Sequence, residues 1–280
     1  MYSLKSTDER NNAIDILKIL SMVMVVLLHL RQYGIYKAEV ELHTPIYWMA
    51  LLVRSFSVVA VNCFVLISGY FLCDQVVKKR KLLSQWIQVE MYSVGIYLVL
   101  CIIPKAEVAF SAKTLVRQML PILTDQYWFF TCYILLMLLV PFLNKFINAL
   151  NVLPNLAFTY NSVFVLFASV CLFEKAVQTR WHITNKTVGK MISRIARLSF
   201  GVYLLHENSQ IRDILWDKWI RLSEYTNDFS IFIIRAIGAV CVIFMAGILL
   251  EWIREVGISK VVVEYKVKKR EENGTDKKRY

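Results

Sequence analysis

What the 280 residues lack narrows the fold class before anything they contain. No apolar stretch alternates with a period of two. Runs such as 133–140 (YILLMLLV) are continuous, which excludes the strands of a membrane barrel. The six cysteines (Cys63, Cys73, Cys101, Cys132, Cys171 and Cys241) show no C-x-x-C spacing. Neither a metal site nor a secreted disulfide framework is expected, and their place in apolar stretches predicts small core residues. Glycine and proline are few, 9 and 5, and form no broken pairs in corresponding helices of two halves. That argues against a proton-coupled transporter, the reading buried charges would otherwise invite. No A-x-A-like site follows the first apolar block and Lys18 interrupts it, so it is expected to stay as a span rather than leave as a signal peptide. No internal repeat or low-complexity segment occurs.

Apolar sequence is what the chain has in excess: 57% of residues are hydrophobic, against about 45–50% for soluble domains. The excess is gathered into blocks near bilayer length, roughly 20 residues as a helix. Backbone polar groups in hydrocarbon need internal partners, so the blocks should be helical. The prediction is an all-α polytopic transmembrane bundle of about seven spans, at 14–30, 57–72, 86–103, 127–143, 156–173, 195–205 and 229–253. The sixth is short and weak in hydropathy, and the seventh contains Arg235. A transmembrane domain over 1–256 is followed by a basic tail, 257–280, expected to be disordered.

The formal charge of +12 would suggest nucleic acid for a soluble chain. Here the Lys and Arg residues lie between and after the apolar blocks, where cytoplasmic loops carry them, so the expected partner is the bilayer. The run 78–81 (KKRK), the segment 174–197 and the tail all read as cytoplasmic, whereas 207–228 is acid-rich and reads as outside. Both termini are then inside, which demands an even number of crossings. Seven is odd. The conflict falls at 144–155 (NKFINALNVLPN), too short and polar to cross.

Ionisable groups in or beside the first span mark function, because they are costly in lipid. Lys18 and His29 are three helical turns apart, on one face, separated by about 16 Å. Asp15 neighbours Lys18 on that face. The bland alternative makes Asp15–Lys18 an interfacial ion pair and His29 an interhelical hydrogen-bonding residue. His206, ending the sixth span, is an interfacial residue or a catalyst. Ser68-Gly69-Tyr70 is a small-residue packing contact or part of a site. Lys78 and Lys81 are topology signals or phosphate ligands.

Several stretches together resemble the acyltransferase 3 family of membrane O-acyltransferases, and in particular its members that acetylate bacterial surface polysaccharides. They are 10–30 (RNNAIDILKILSMVMVVLLHL), 61–72 (VNCFVLISGYFL), 121–144 (PILTDQYWFFTCYILLMLLVPFLN), 160–173 (YNSVFVLFASVCLF) and 192–208 (ISRIARLSFGVYLLHEN), in the expected order. The resemblance places His29 on the family's essential histidine, Lys18 on its arginine, and Lys78 and Lys81 on a cytoplasmic Arg-x-x-Arg. Ser68, Gly69 and Tyr70 fall on its SGY/SGF, and His206 on a recurrent histidine without an assigned role. It implies transfer of an acyl group, most often acetyl, from cytoplasmic acyl-CoA to a glycan hydroxyl in a bacterial plasma membrane. No bound cofactor or metal is implied. His29 would be the base, and Lys18, Lys78 and Lys81 would hold the CoA phosphates. The family typically has ten spans, so this chain resembles a member shortened internally near 144–156, where the crossing count fails. The alternative is a non-catalytic remnant or accessory component of polysaccharide export. A homo-oligomer or a helper protein could supply the missing helices.

Overall fold

The computed structural model describes residues 11–35, 40–72, 79–103, 108–124, 126–150, 163–179, 183 and 185–276, and among these there is no strand. Ten α-helices follow one another: α1 (Asn12–His29), α2 (Pro45–Ser57), α3 (Ala60–Leu72), α4 (Lys79–Ile102), α5 (Ala112–Gln118), α6 (Trp128–Leu150), α7 (Val163–Thr179), α8 (Lys186–His206), α9 (Ser209–Asp213) and α10 (Phe229–Asp276). Among the described residues, four stretches are long and apolar enough to cross a bilayer: Asn12–Ile35, Pro45–Phe71, Leu82–Ile102 and Phe229–Ile258. Trp128–Leu139 is a shorter apolar helix. The chain is an all-α membrane bundle, as its apolar blocks predict.

The helices start where the sequence supplies caps. Asn11 accepts from the Ala13 amide at 2.9 Å, and Asn185 accepts from Thr187 at 3.0 Å. Thr44 caps α2 in the same way, with Pro45 at the first helical position, where its missing N–H costs nothing. The second span begins at Pro45, earlier than the predicted 57, because α2 and α3 form one apolar stretch.

α1 and α8 lie side by side and parallel. Asn12 Nδ2 donates to Gly189 O at 3.2 Å, Ser193 Oγ donates to Asp15 Oδ2 at 2.6 Å, and His29 meets His206 at 2.7 Å. The sequence separation barely changes along the pair, at 177, 178 and 177 residues. α10 runs antiparallel to α8: Glu251 packs at Gly201 and Glu255 pairs with Arg197 at 3.3 Å. The Asn12 end of α1, the Lys186 end of α8 and the Glu255 region of α10 therefore share one side.

α8 is the centre of the bundle. Every residue from Leu198 to His206 except Phe200 is buried, and Val202 and Leu204 are fully so. Its first half carries Lys186, Lys190, Arg194 and Arg197, which is why it scores weakly for hydropathy. In contrast, Ile234, Val242 and Met245 of strongly apolar α10 face outward. Hydropathy reports contact with lipid rather than centrality.

One expectation is corrected here. Cys63 is in the core, but Cys132, Cys171 and Cys241 are exposed. A membrane helix is apolar on its lipid face too, so an apolar neighbourhood does not place a cysteine inside. α10 runs on through Asp276, into the segment read as a tail. Lys, Glu and Arg are good helix formers, and α10 propagates into them without a new nucleus.

The crossing conflict has a three-dimensional form. α4 climbs from Lys79 to Tyr92, whose carbonyl accepts from Asn208 Nδ2 at 3.5 Å. α6 descends beside it, from Tyr127 at Leu204 to Met137 at Leu82. α7 also descends, since Asn11 Nδ2 donates to Ala176 O and Val177 O, each at 3.3 Å. Consecutive α6 and α7 thus run the same way. The predicted shortening near 144–156 overlaps the end of α6 and then passes outside the described residues.

Candidate functional site

At the end of α1 opposite Asn12, the α-helix gives way to a π-helical turn, Leu30–Ile35. Such turns are rare and frequently accompany functional sites. This one follows His29 directly and stacks Tyr33 on its ring, with centroids 5.6 Å apart. Across from it, α8 ends on the polar triplet His206-Glu207-Asn208, all buried, at 0, 4 and 0% exposure. Three consecutive buried polar residues need partners, and each has them.

His206 Nδ1 lies 2.5 Å from Val202 O. His206 Nε2 lies 2.7 Å from His29 Nδ1. His29 Nε2 faces Glu207 Oε2 at 3.2 Å. The other carboxylate oxygen, Oε1, accepts from Tyr33 Oη at 3.2 Å and lies 3.6 Å from Arg212 Nη1. Arg212, on α9, also stands 5.0 Å over the Tyr33 ring. Asn208 ties the triplet down, donating to Tyr127 Oη at 2.9 Å and capping α9 through the Gln210 and Ile211 amides. Just beyond the last turn of α8, burial pushes the Glu207 carboxyl up to about 7, with Arg212 and Tyr33 pulling the other way. Trp216 Nε1, buried beside Tyr33, has no hydrogen-bond partner among the described residues.

His29, His206 and Glu207 bring ligand atoms within 4.8 Å of one another, a set that could hold a metal ion. The two imidazole nitrogens are 2.7 Å apart. Two nitrogens on one tetrahedral zinc, each about 2.0–2.1 Å from the ion, would be roughly 3.3 Å apart. The arrangement is that of a hydrogen-bonded pair.

Among the residues singled out from the sequence, the fold unites His29 with His206. It sets Lys18 three turns down α1, half-buried, near Asp15, which is buried and bonded to Ser193. Ser68 and Tyr70 lie at that far end, not at His29: Tyr70 packs on Phe173 at 5.8 Å, in the cluster around Ile14 and Leu17. A Cβ on Gly69 would meet nothing within 4 Å, so the small residue serves no close packing among the described residues. Lys78 lies outside the described residues, as does the side chain of Lys81. Glu207, Arg212 and Tyr33 escaped notice in the sequence. The available signal was a carboxylate directly after His206 at the end of an apolar stretch.

A helical membrane protein with a buried His–His–Glu centre between two parallel helices is the class these features define. A family model described as an acyltransferase domain, acyltransferase 3, matches residues 11–160, more than half of the chain. The chain belongs to that family and is a membrane acyltransferase by membership. The matched segment contains Lys18 and His29, whereas His206, Glu207 and Arg212 come from beyond it. No curated protein and no solved structure matches the chain.

Proposed function

We propose that this protein moves an acyl group, most simply acetyl, from acyl-CoA to a hydroxyl of a cell-surface polysaccharide or other glycan, in a bacterial plasma membrane with both termini cytoplasmic. The observation that carries the proposal is His29: a family-segment histidine, buried, with one ring nitrogen hydrogen-bonded and the other turned to a carboxylate. A sugar hydroxyl is a poor nucleophile until a base takes its proton, and neutral imidazole suits that task near pH 7. The hydroxyl oxygen attacks the thioester carbonyl as His29 Nε2 takes the proton. The C–S bond then breaks and the thiolate recovers that proton as CoA leaves.

Lys18 lies about 16 Å from His29 along α1, comparable to the pantetheine arm between the CoA phosphates and the thioester. Lys18, with Lys78 and Lys81, is assigned the phosphates, and Ser68 and Tyr70 the same end of the acyl-CoA path. Asp15 supports Lys18. The test is acyl transfer by membranes containing the full chain. His29→Ala should lower the rate by about 10²–10⁴-fold at unchanged membrane abundance. Lys18→Ala should chiefly raise the apparent KM for acyl-CoA, and Lys18→Arg, with its planar fork, should match or exceed the parent. Parallel loss of protein and activity in both alanine variants would return the pair to a packing role. An inert parent chain would favour the remnant of a polysaccharide-export system.

A further inference from the structure

We propose that His206 is a positioning residue that decides which nitrogen of His29 is the base. The inference rests on the acyl-transfer reading for its kinetic consequence, but its structural core does not. Val202 O lies 2.5 Å from His206 Nδ1. A carbonyl oxygen only accepts, so Nδ1 carries the hydrogen. A neutral imidazole has a single N–H, so His206 Nε2 presents a lone pair. His29 Nδ1 lies 2.7 Å from that lone pair and must donate into it. The hydrogen of neutral His29 is thereby fixed on Nδ1, and its lone pair is on Nε2.

The chain of bonds starts at a backbone carbonyl in the last turn of α8, so it is anchored by the helix rather than by a mobile side chain. It ends where chemistry is needed. His29 Nε2 points at Glu207 Oε2, 3.2 Å away, and that oxygen makes no hydrogen bond among the described residues. With Glu207 ionised, two lone pairs face each other across the gap. The bare Nε2 is left to take a proton, and an acceptor hydroxyl approaching it brings one. Once Nε2 has taken it, the imidazolium N–H lies within reach of Oε2. The groups facing His29 are therefore divided: His206 sets the tautomer, Glu207 balances the transient charge, and Tyr33 and Arg212 hold Glu207 in place.

The inference is tested on the full-length protein in bilayers by nitrogen-15 NMR of labelled histidine, with the His29 signals identified by their loss in His29→Gln. The expected parent spectrum shows neutral His29 protonated on Nδ1 and bare on Nε2. His206→Leu removes the acceptor and should give a mixture of tautomers. His206→Gln offers an amide oxygen in place of Nε2 and should restore the parent form. In acyl transfer, His206→Leu should lose about 10²-fold or more in kcat at unchanged KM for acyl-CoA, with His206→Gln recovering most of it. Parent His29 protonated on Nε2 would overturn the inference, as would equal kcat losses in the two variants. If the parent transfers no acyl group, the spectra still decide the tautomer, and only the catalytic reading falls.

Discussion

A carboxylate beside an imidazole shifts the balance of a proton, and Glu207 has only one oxygen free to do so. Its Oε1 is engaged by Tyr33 and Arg212, leaving Oε2 for His29. The ionised form is the one that steadies an imidazolium, and burial holds this carboxyl up to about 7. The rate of acyl transfer should therefore rise as pH climbs through about 7. Glu207→Gln keeps the shape and removes the charge. It should cut the limiting rate by about 10²-fold and flatten that rise, with Tyr33, Arg212 and His206 still present around His29. A variant profile that keeps the parent's rise would assign the titration elsewhere. Lys18 and His29 were legible because charge in an apolar run is conspicuous, and the resemblance pointed to His206. Glu207 and Arg212 were not, because they sit in a segment whose composition reads as an exposed loop. Only the fold of 209–225 over the end of α1 buries that carboxylate.

Helix contact at the centre of the bundle depends on two missing side chains. A Cβ on Gly247 would sit 2.5 Å from the Val202 Cα, and one on Gly201 would sit 2.5 Å from the Glu251 Cβ. The first obstacle is backbone and cannot swing aside. Gly247→Ala should lower the thermal stability of the purified protein by the order of 1–3 kcal/mol, as overpacked cores do. Gly238→Ala, where an added Cβ meets nothing within 4 Å, should leave it unchanged or slightly raise it. Equal melting temperatures for the two variants would mean that α8 and α10 do not meet this closely. The helices themselves were readable from apolar blocks. The rank of α8 was not, because a helix surrounded by protein needs no uniformly apolar surface, and its basic first half masks the buried second.

The whole molecule sorts its ends by side. Asn12 meets Gly189 at the start of α8 and Glu255 meets Arg197 midway along it, so the starts of α1 and α8 and the end of α10 share a side, and the charge-bias rule predicts that this side is cytoplasmic. Single cysteines at positions 185 and 275 should resist a membrane-impermeant thiol reagent in intact cells and react after permeabilisation. One at position 218, in the segment after α8, should react in both. Labelling of 185 from outside would invert the bundle. Because α6 and α7 run the same way, one residue count along the chain could not yield the topology. The conflict in the sequence is a conflict between real helices, not an error in locating them.

The near-constant offset between α1 and α8 also sets a schedule. His29 leaves the ribosome 177 residues ahead of His206, a delay of about 10–35 s at ordinary elongation rates. Throughout that interval His29 has entered the membrane without the residue it meets on α8. The segment recognised as an acyltransferase is by then complete, yet its centre is not. A chain that stops before α8 would carry the family's signature and an untethered imidazole, so the His29 ring stays unset until α8 has been made.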